Sequence, residues 1–371
     1  MGNGPEQTTE SPDYLRMSLA AAMTLGFKRG LFYRNARLYC INLLLTYTDG
    51  CLARCAYCGL SSRRPGAYGE KSFIRVTWPT YSLEEIAARI RERQDRIKRI
   101  CISMVTRKRA VRHTALVCER LRSTVDIPVS LLISPTMLKR SDLIDLRAAG
   151  ADKIGVAIDL ATPVLFDRYR GSGVNGPHRW ERYWACLGES LEIFGRGNAG
   201  SHFMVGMGET EQEMAAAMQE VRDMEGFTHL FSFFPEPGSA MTDQSPPPMD
   251  QYRRIQLARY LIDNKMATAG DFEYGPDGKI ARFGMGEKAL ERVIRTGEPF
   301  RTSGCEGHDG EVACNRPYAN SRPGPYIRNF PFPPSDEDIK RIRRQMGLSS
   351  APSPAGSERP SEHRRNRVNV A

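Results

Sequence analysis

The chain has 371 residues, 40% of them hydrophobic, with nine cysteines, 24 prolines and a formal net charge of +10, a globular composition with irregular segments added. The apolar stretch at 17–24 is too short to cross a bilayer and is soon followed by Lys28 and Arg29, and cysteines without a secretory leader argue for thiolate chemistry in the reducing cytoplasm rather than a disulfide scaffold. The basic balance suits a partner of opposite sign, yet no basic run is interleaved with stacking aromatics, so neither a membrane nor a nucleic acid is the expected partner.

Residues 1–12 are polar and carry Gly and Pro, and are expected to be flexible. Residues 13–36 read as an N-terminal helical segment packed on the main domain. From 37 to 270 the chain alternates. Strand-like runs fall at 39–46, 100–105, 129–134, 153–158, 202–207 and 230–234. Helix-like runs fall at 82–97, 110–122, 141–149, 180–194, 211–225 and 249–264. The clearest helix starts at Ser82, with Glu85 completing a capping box and Leu83, Ile86, Ile90 and Ile97 on one apolar face. Gly150 and Gly226 follow the ends of two others.

Six strand–helix units in a row imply an α/β fold with parallel strands and crossover helices. They are too few for a complete eightfold barrel. A partial (βα)6 TIM-type barrel fits, and so does a doubly wound open sheet. Both collect ligands beyond the C-terminal ends of their strands. Residues 271–348 change character: Gly and Pro are frequent, one short helical piece lies at 288–296, and Cys305 and Cys314 appear among several aromatics. A long irregular segment of this kind is expected to be ordered and functional. Residues 349–371 have no apolar period and are expected to form a disordered tail.

The first strand leads into Asp49-Gly50-Cys51-Leu52-Ala53-Arg54-Cys55-Ala56-Tyr57-Cys58-Gly59. Three thiolates at this spacing, Cys51, Cys55 and Cys58, can each take one iron of a [4Fe–4S] cluster. The loop holds no fourth cysteine, which leaves one iron for a small ligand. Structural zinc wants four ligands, as paired Cys-x2-4-Cys units or with His, and this triple is not that pattern.

The spacing, with Tyr57 before the third cysteine, resembles the signature of the radical S-adenosylmethionine (SAM) superfamily. The resemblance implies a (βα)6 core over 37–270 and SAM chelated by the open iron. It implies electron transfer that breaks a C–S bond to give methionine and a 5′-deoxyadenosyl radical, and it sets Tyr57 against the adenine. The run from Cys55 to Arg63 is similar to the same loop of biotin synthase, and Cys101 falls where that enzyme has a ligand of its second cluster. The third and fifth strands carry no cysteine here, a departure from that enzyme. The stretch Ala157-Ile-Asp159 followed by Phe166-Asp-Arg-Tyr-Arg170 resembles the fourth-strand region of biotin and lipoyl synthases. There Asp159 would hold the SAM ribose and Arg170 the SAM carboxylate, a surface ion pair being the alternative for Arg170. Gly206-Met-Gly208-Glu209-Thr210 resembles the Gly-Leu-Gly-Glu-Thr turn of these enzymes, which lets the backbone approach the cofactor.

Arg301-Thr-Ser-Gly-Cys305 with Cys314-Asn-Arg-Pro-Tyr318 resembles the two-component lipoyl synthases of archaea and sulfur-oxidising bacteria. That likeness implies an auxiliary [4Fe–4S] cluster on Cys305 and Cys314, with Cys40 and Cys101 as candidates to complete it. Packing is the alternative for those two, and Ser303 is a further oxygen donor. It implies sulfur insertion into the octanoyl chain of a lipoyl carrier protein, of H-protein or E2 lipoyl-domain type, in lipoate biosynthesis. A homologous second synthase component and an electron donor such as ferredoxin or flavodoxin would assist. Biotin-type sulfur insertion or a radical rearrangement on the same scaffold is the alternative. Cys118 and Cys186 fall on apolar helix faces and read as packing residues.

Overall fold

The computed structural model of the protein describes residues 9–319, 324 and 326–348. The expected tail at 349–371 and residues 1–8 of the expected flexible N-terminus lie outside the described residues. In chain order the elements are β1 (Tyr14–Met17), α1 (Leu19–Thr24), β2 (Cys40–Leu45), β3 (Thr80–Ser82), α2 (Leu83–Arg91), β4 (Arg99–Ser103) and α3 (Lys108–Arg122). There follow β5 (Val129–Ile133), α4 (Arg140–Ala148), β6 (Ala151–Asp159), α5 (Pro163–Arg170), α6 (Trp180–Phe194), β7 (Ala199–Val205), α7 (Glu211–Asp223) and β8 (Phe227–Ser232). The C-terminal part adds α8 (Met249–Asp263), β9 (Glu273–Tyr274), β10 (Ile280–Arg282), α9 (Glu287–Thr296) and α10 (Asp336–Gln345).

Strands β2, β4, β5, β6, β7 and β8 pair in parallel in that order, each next to its successor in sequence. This is the expected (βα)6 partial barrel, its sheet not closed into a ring. Two short antiparallel strands extend one edge, giving the order β3-β1-β2-β4-β5-β6-β7-β8. The edge replaces part of the expected N-terminal helical segment. Leu15, Arg16 and Met17 pair with Leu45, Leu44 and Leu43, and Arg16 is buried, donating to the carbonyls of Trp78, Tyr68 and Lys71. A buried ladder with its own arginine clamp outweighs weak local helix propensity. Helix is left to the six residues of α1, capped by Ser18. Just before β1, the amide of Ser11 donates to the Thr46 carbonyl at 2.9 Å, so residues at the end of the expected flexible segment are held.

The capping box at Ser82 and Glu85 forms, the Ser82 hydroxyl accepting from the Glu85 amide at 3.2 Å. Helix α2 stops at Arg91, however, and Ile97 joins the core from the approach to β4.

Alternation along the strands explains what the barrel holds. Ile41, Leu43 and Leu45 of β2, Ile100 and Ile102 of β4, Val129 and Leu131 of β5, and Ile154, Val156 and Ile158 of β6 belong to the buried apolar core. The residues between them include Cys40, Asn42, Cys101, Ser103, Ser130, Gly155, Ala157 and Asp159, with His202 and His229 on β7 and β8 and the apolar Leu44 and Leu132 in the same register. Side chains alternate across a strand. One face therefore supplies the packed layer, and the other lines the inside of the barrel with polar and sulfur-bearing groups.

The segment after α9 closes the N-terminal end of the barrel. Arg301 bridges to Phe330, the Ser303 hydroxyl accepts from the Leu230 amide at 2.9 Å, Arg99 donates to the Glu306 carbonyl, and Asn315 donates to the Arg37 carbonyl at 2.6 Å. Helix α8 fastens this segment. Arg253 donates to the carbonyls of Arg328 and Ile327 at 2.5 and 2.6 Å, and Tyr252 donates to Asn329 at 2.9 Å. Among the described residues, no helix is long and apolar enough to cross a membrane.

Candidate functional site

A cavity enclosing about 1170 Å³, its open mouth included, sits at the C-terminal ends of the parallel strands. Its wall includes Ser103 to Thr106 at the end of β4, Leu132 to Ser134 at the end of β5, Ala157 and Asp159 of β6, His202 and Met204 of β7, and Phe231 and Ser232 of β8. The loop after β2 brings Cys51, Cys55, Tyr57 and Cys58 to the same wall. The structure thus unites the three loop cysteines with Tyr57, Asp159 and Arg170.

The loop is tied down by its own backbone and by α5. The Ala53 amide donates to Cys51 Sγ and the Leu60 amide to Cys58 Sγ, both at 3.4 Å. The Cys58 amide bonds the Cys55 carbonyl at 3.2 Å and the Ala56 amide reaches the Tyr169 carbonyl at 2.8 Å. Burial pushes the Cys55 thiol up to about 11 and raises Cys58 well above the usual thiol range. Neutral thiols in a dry pocket are stable until a metal takes their protons. The donor set fits a [4Fe–4S] cluster: three thiols on one loop, with backbone N–H groups on two of the sulfurs. Among the described residues, no three His, Cys, Asp or Glu side chains close on a point as the ligands of a single ion do. A four-iron cluster is wider and takes each thiolate on a different iron.

Asp159 ends β6 at φ +67, a left-handed backbone that turns its carboxylate toward the loop. The carboxylate accepts from the Tyr57 hydroxyl at 2.7 Å and from Arg170 at 2.8 Å. Burial, reinforced by the Asp159 charge, holds the Tyr57 phenol well above its ordinary range. Arg170 sits against the end of β6, where it meets the same carboxylate. Its guanidinium is 4% exposed and is spent on the Ala157 and Ile158 carbonyls, Asp159 and the Tyr183 hydroxyl. Its Nε is buried without a hydrogen-bond partner, and the side chain lines the cavity. Arg170 is not a surface ion pair; it braces the end of β6 at the cavity wall.

The Gly206–Glu209 turn is held by its own carboxylate. Gly206 and Gly208 adopt φ +100 and +108, and a Cβ on Gly206 would stand 2.6 Å from Pro247, so glycine is required there. The Glu209 carboxylate accepts from the amides of Gly206 and Met207 at 2.7 and 2.8 Å. These three residues build the β7–α7 turn and are not part of the cavity wall.

A second group of cysteines lies inside the barrel, toward the N-terminal ends of its strands. Cys40, Cys101 and Cys314 form one buried cluster. Cys305 joins them through a tight loop: the amides of Ala313 and Cys314 both reach the Cys305 carbonyl, at 3.0 and 3.1 Å, and Glu306 pairs with Val312. The eight residues between Cys305 and Cys314 therefore close on themselves instead of separating the thiols. Gly304 allows the approach, since a Cβ there would stand 2.1 Å from the Cys314 carbonyl oxygen. Asn42 points its amide at Cys314 Sγ (3.5 Å) and Cys40 Sγ (3.7 Å). Burial raises the Cys40 thiol, while Cys40 itself and the Arg316 guanidinium hold Cys314 down. Ser303 is occupied with the β8 backbone. Cys118 and Cys186 are fully buried on α3 and α6, as packing residues are.

Sequence reasoning missed several residues of the wall and of the inner cysteine group. Arg316 donates from Nε to Cys314 Sγ at 3.1 Å, and His229 Nε2 lies 3.5 Å from Cys305 Sγ. His202 packs edge-on to His229, their ring centroids 5.2 Å apart, in space left by Gly155. Glu236, buried, accepts from Ser72 and the Arg75 amide and so holds the Phe73–Arg75 segment over the cavity. The signal for the histidines was their place on the inward register of β7 and β8; for Arg316 it was its spacing, two residues beyond Cys314.

No curated protein matches this chain. Similar solved structures include HydG, a maturase of the [FeFe]-hydrogenase (11% identity, TM-score 0.46, 66% of this chain and 54% of that one). Another is the radical S-adenosylmethionine methyltransferase TsrM from Kitasatospora setae (13%, TM-score 0.40, 79% and 60%). A third is the coproporphyrinogen III oxidase HemN from Escherichia coli, a radical SAM enzyme (17%, TM-score 0.33, 46% and 39%). The chain spans less than two thirds of each of these three. Residues 45–221, which contain the three-cysteine loop, Tyr57, Asp159 and Arg170, match the model of the Radical SAM superfamily.

Proposed function

We propose that this chain is a radical SAM sulfurtransferase of lipoyl synthase type, inserting sulfur into the octanoyl chain of a lipoyl carrier protein. The observation that carries the reading is the second constellation, Cys40, Cys101, Cys305 and Cys314, gathered inside the barrel below a cavity with apolar walls. When bound, SAM and a [4Fe–4S] cluster on Cys51, Cys55 and Cys58 supply a 5′-deoxyadenosyl radical able to take hydrogen from an unactivated methylene, and an auxiliary cluster supplies sulfur.

This chain's own residues prepare the site for such chemistry. Phe73, Met104, Val105, Leu132, Phe231 and Phe234 line the cavity and suit an alkyl chain while keeping water away. Tyr57 and Asp159, already bonded to each other, place one aromatic face and one carboxylate beside the loop for the adenosyl part of SAM. The basic balance of the chain suits an acidic carrier such as an H protein or an E2 lipoyl domain. A homologous partner component would divide the two insertions, and a ferredoxin or flavodoxin would supply electrons.

Anaerobic incubation of reconstituted protein with SAM, dithionite and an octanoyl-lysyl peptide tests this. Mass spectrometry is expected to show deoxyadenosine together with a sulfur mass increment on the peptide. Deoxyadenosine without added sulfur would defeat the lipoyl reading and favour another radical reaction on this scaffold.

A further inference from the structure

Arg316 stands where the inner cysteines meet the cavity, and among the described residues no carboxylate pairs with it. Its Nε donates to Cys314 Sγ at 3.1 Å, and its guanidinium lies 4.8 Å from the centre of the Phe231 ring. The side chain is 9% exposed, lines the cavity, and has Nη1 buried without a hydrogen-bond partner. Its charge is felt by the thiols of Cys314, Cys101 and Cys40 and by the buried imidazoles of His202 and His229. The other arginine among these thiols is different: Arg99 forks onto Asp152 at 2.6 and 2.7 Å. Arg316 also sits at φ +41, a backbone that a non-glycine residue adopts at some cost. A buried guanidinium with unspent donors calls for an anion at the site.

We propose that Arg316 is a positioning residue for the second iron–sulfur cluster: it offsets the cluster's negative charge, donates N–H to a ligand sulfur and so raises the potential at which that cluster takes an electron. The inference rests on the reading that Cys40, Cys101, Cys305 and Cys314 hold a cluster. Its physics is general. The reduced form of a cluster carries one more negative charge than the oxidised form, so a nearby cation favours it, most strongly where the surroundings are dry. Hydrogen bonds to the sulfurs act in the same direction. Phe231 and the buried thiols keep this corner dry.

The test uses the full chain, reconstituted anaerobically, as wild type and as Arg316→Lys and Arg316→Gln. Iron and sulfide are counted, and both clusters are titrated with dithionite while their electron paramagnetic resonance signals are followed. The SAM-responsive signal serves as the internal reference. The expected result is a lower midpoint potential for the second cluster in Arg316→Gln and a smaller fall in Arg316→Lys, with the reference signal unmoved. Loss of the second cluster from the Gln variant alone also supports the assignment. An unmoved potential in both variants, or loss of the second cluster from both, overturns it and leaves the two-cluster reading standing. Iron and sulfide for a single cluster in the wild type overturns both.

Discussion

The Tyr57 hydroxyl donates to the Asp159 carboxylate at 2.7 Å, joining the cysteine loop to the end of β6 across 102 residues of chain. The same carboxylate oxygen accepts from the buried Arg170. Loop, strand end and arginine are therefore one unit. Tyr57→Phe is expected to loosen the loop at a cost of about 1.5–3 kcal/mol, the range for a hydrogen bond to a charged group. Asp159→Asn is expected to cost roughly 3 kcal/mol, because it leaves the Arg170 charge without its counter-ion. Denaturant unfolding reads both, and a calorimetric titration with SAM should show weaker binding in each. Wild-type SAM affinity in Asp159→Asn would detach this unit from the cofactor.

The two cysteine groups are expected to separate cleanly by mutation. Cys51→Ala, Cys55→Ala and Cys58→Ala should each abolish deoxyadenosine formation. Cys101→Ser, Cys305→Ser and Cys314→Ser should remove about half of the iron and sulfide and stop sulfur transfer, yet leave SAM cleavage, since two like clusters share the metal equally. Cys118→Ala and Cys186→Ala, changes in packing alone, should keep full iron content. Iron, sulfide and deoxyadenosine measured on one set of preparations decide the matter.

Arg253 fixes the C-terminal segment from α8, and burial lowers its pKa to about 9. It is 1% exposed and bonds Gln345, Gln256 and the Arg328 and Ile327 carbonyls. Arg253→Met keeps the volume but strands these acceptors. A loss of about 3 kcal/mol is expected, as when one partner of a buried polar network is removed. Because the clamped segment carries Cys305 and Cys314, occupancy of the inner cysteine site should drop before that of the loop site. Equal loss at both sites would mean that the clamp serves the whole fold and not this segment.

His178 offers a pH signature. It is 1% exposed, its Nδ1 is 2.5 Å from the Thr136 hydroxyl and 2.9 Å from that of Tyr183, and burial pushes its pKa down to about 2. The folded state holds it neutral, whereas the unfolded chain takes the proton near pH 6.5. Its contribution is therefore complete above pH 6.5 and is lost as pH falls below that value, by up to about 1.4 kcal/mol per pH unit. Urea unfolding between pH 7 and 5 should be less pH-dependent for His178→Gln than for wild type. Parallel curves for the two proteins would contradict a neutral, buried His178.

Much of the core could be read from the chain alone. The six parallel strands and the helices over 108–122, 180–194 and 249–263 follow from period and length, because a strand buried between layers needs a continuous apolar run and a helix an apolar stripe. Strands β1 and β3 could not be read. Tyr14–Met17 is four residues long, and its extended form is set by pairing with β2, a contact distant in sequence. The three-cysteine loop was legible because its ligands lie within eight residues of one another. The inner cysteines had to be guessed, since Cys40 and Cys314 are 274 positions apart and meet only when the C-terminal segment closes the barrel.

By itself the sequence determined what is local: the order of the six parallel strands, the cap at Ser82, and a loop whose thiol spacing matches an iron–sulfur cluster. Tertiary structure decided what each polar group is for. It turned Arg170 onto its own strand end, spent Glu209 on a turn, and brought Arg316 and two histidines to the inner thiols. The reason is physical. Spacing along a chain fixes which residues can be neighbours within one element, whereas a buried polar side chain bonds whatever donor or acceptor the folded barrel brings within about 3 Å.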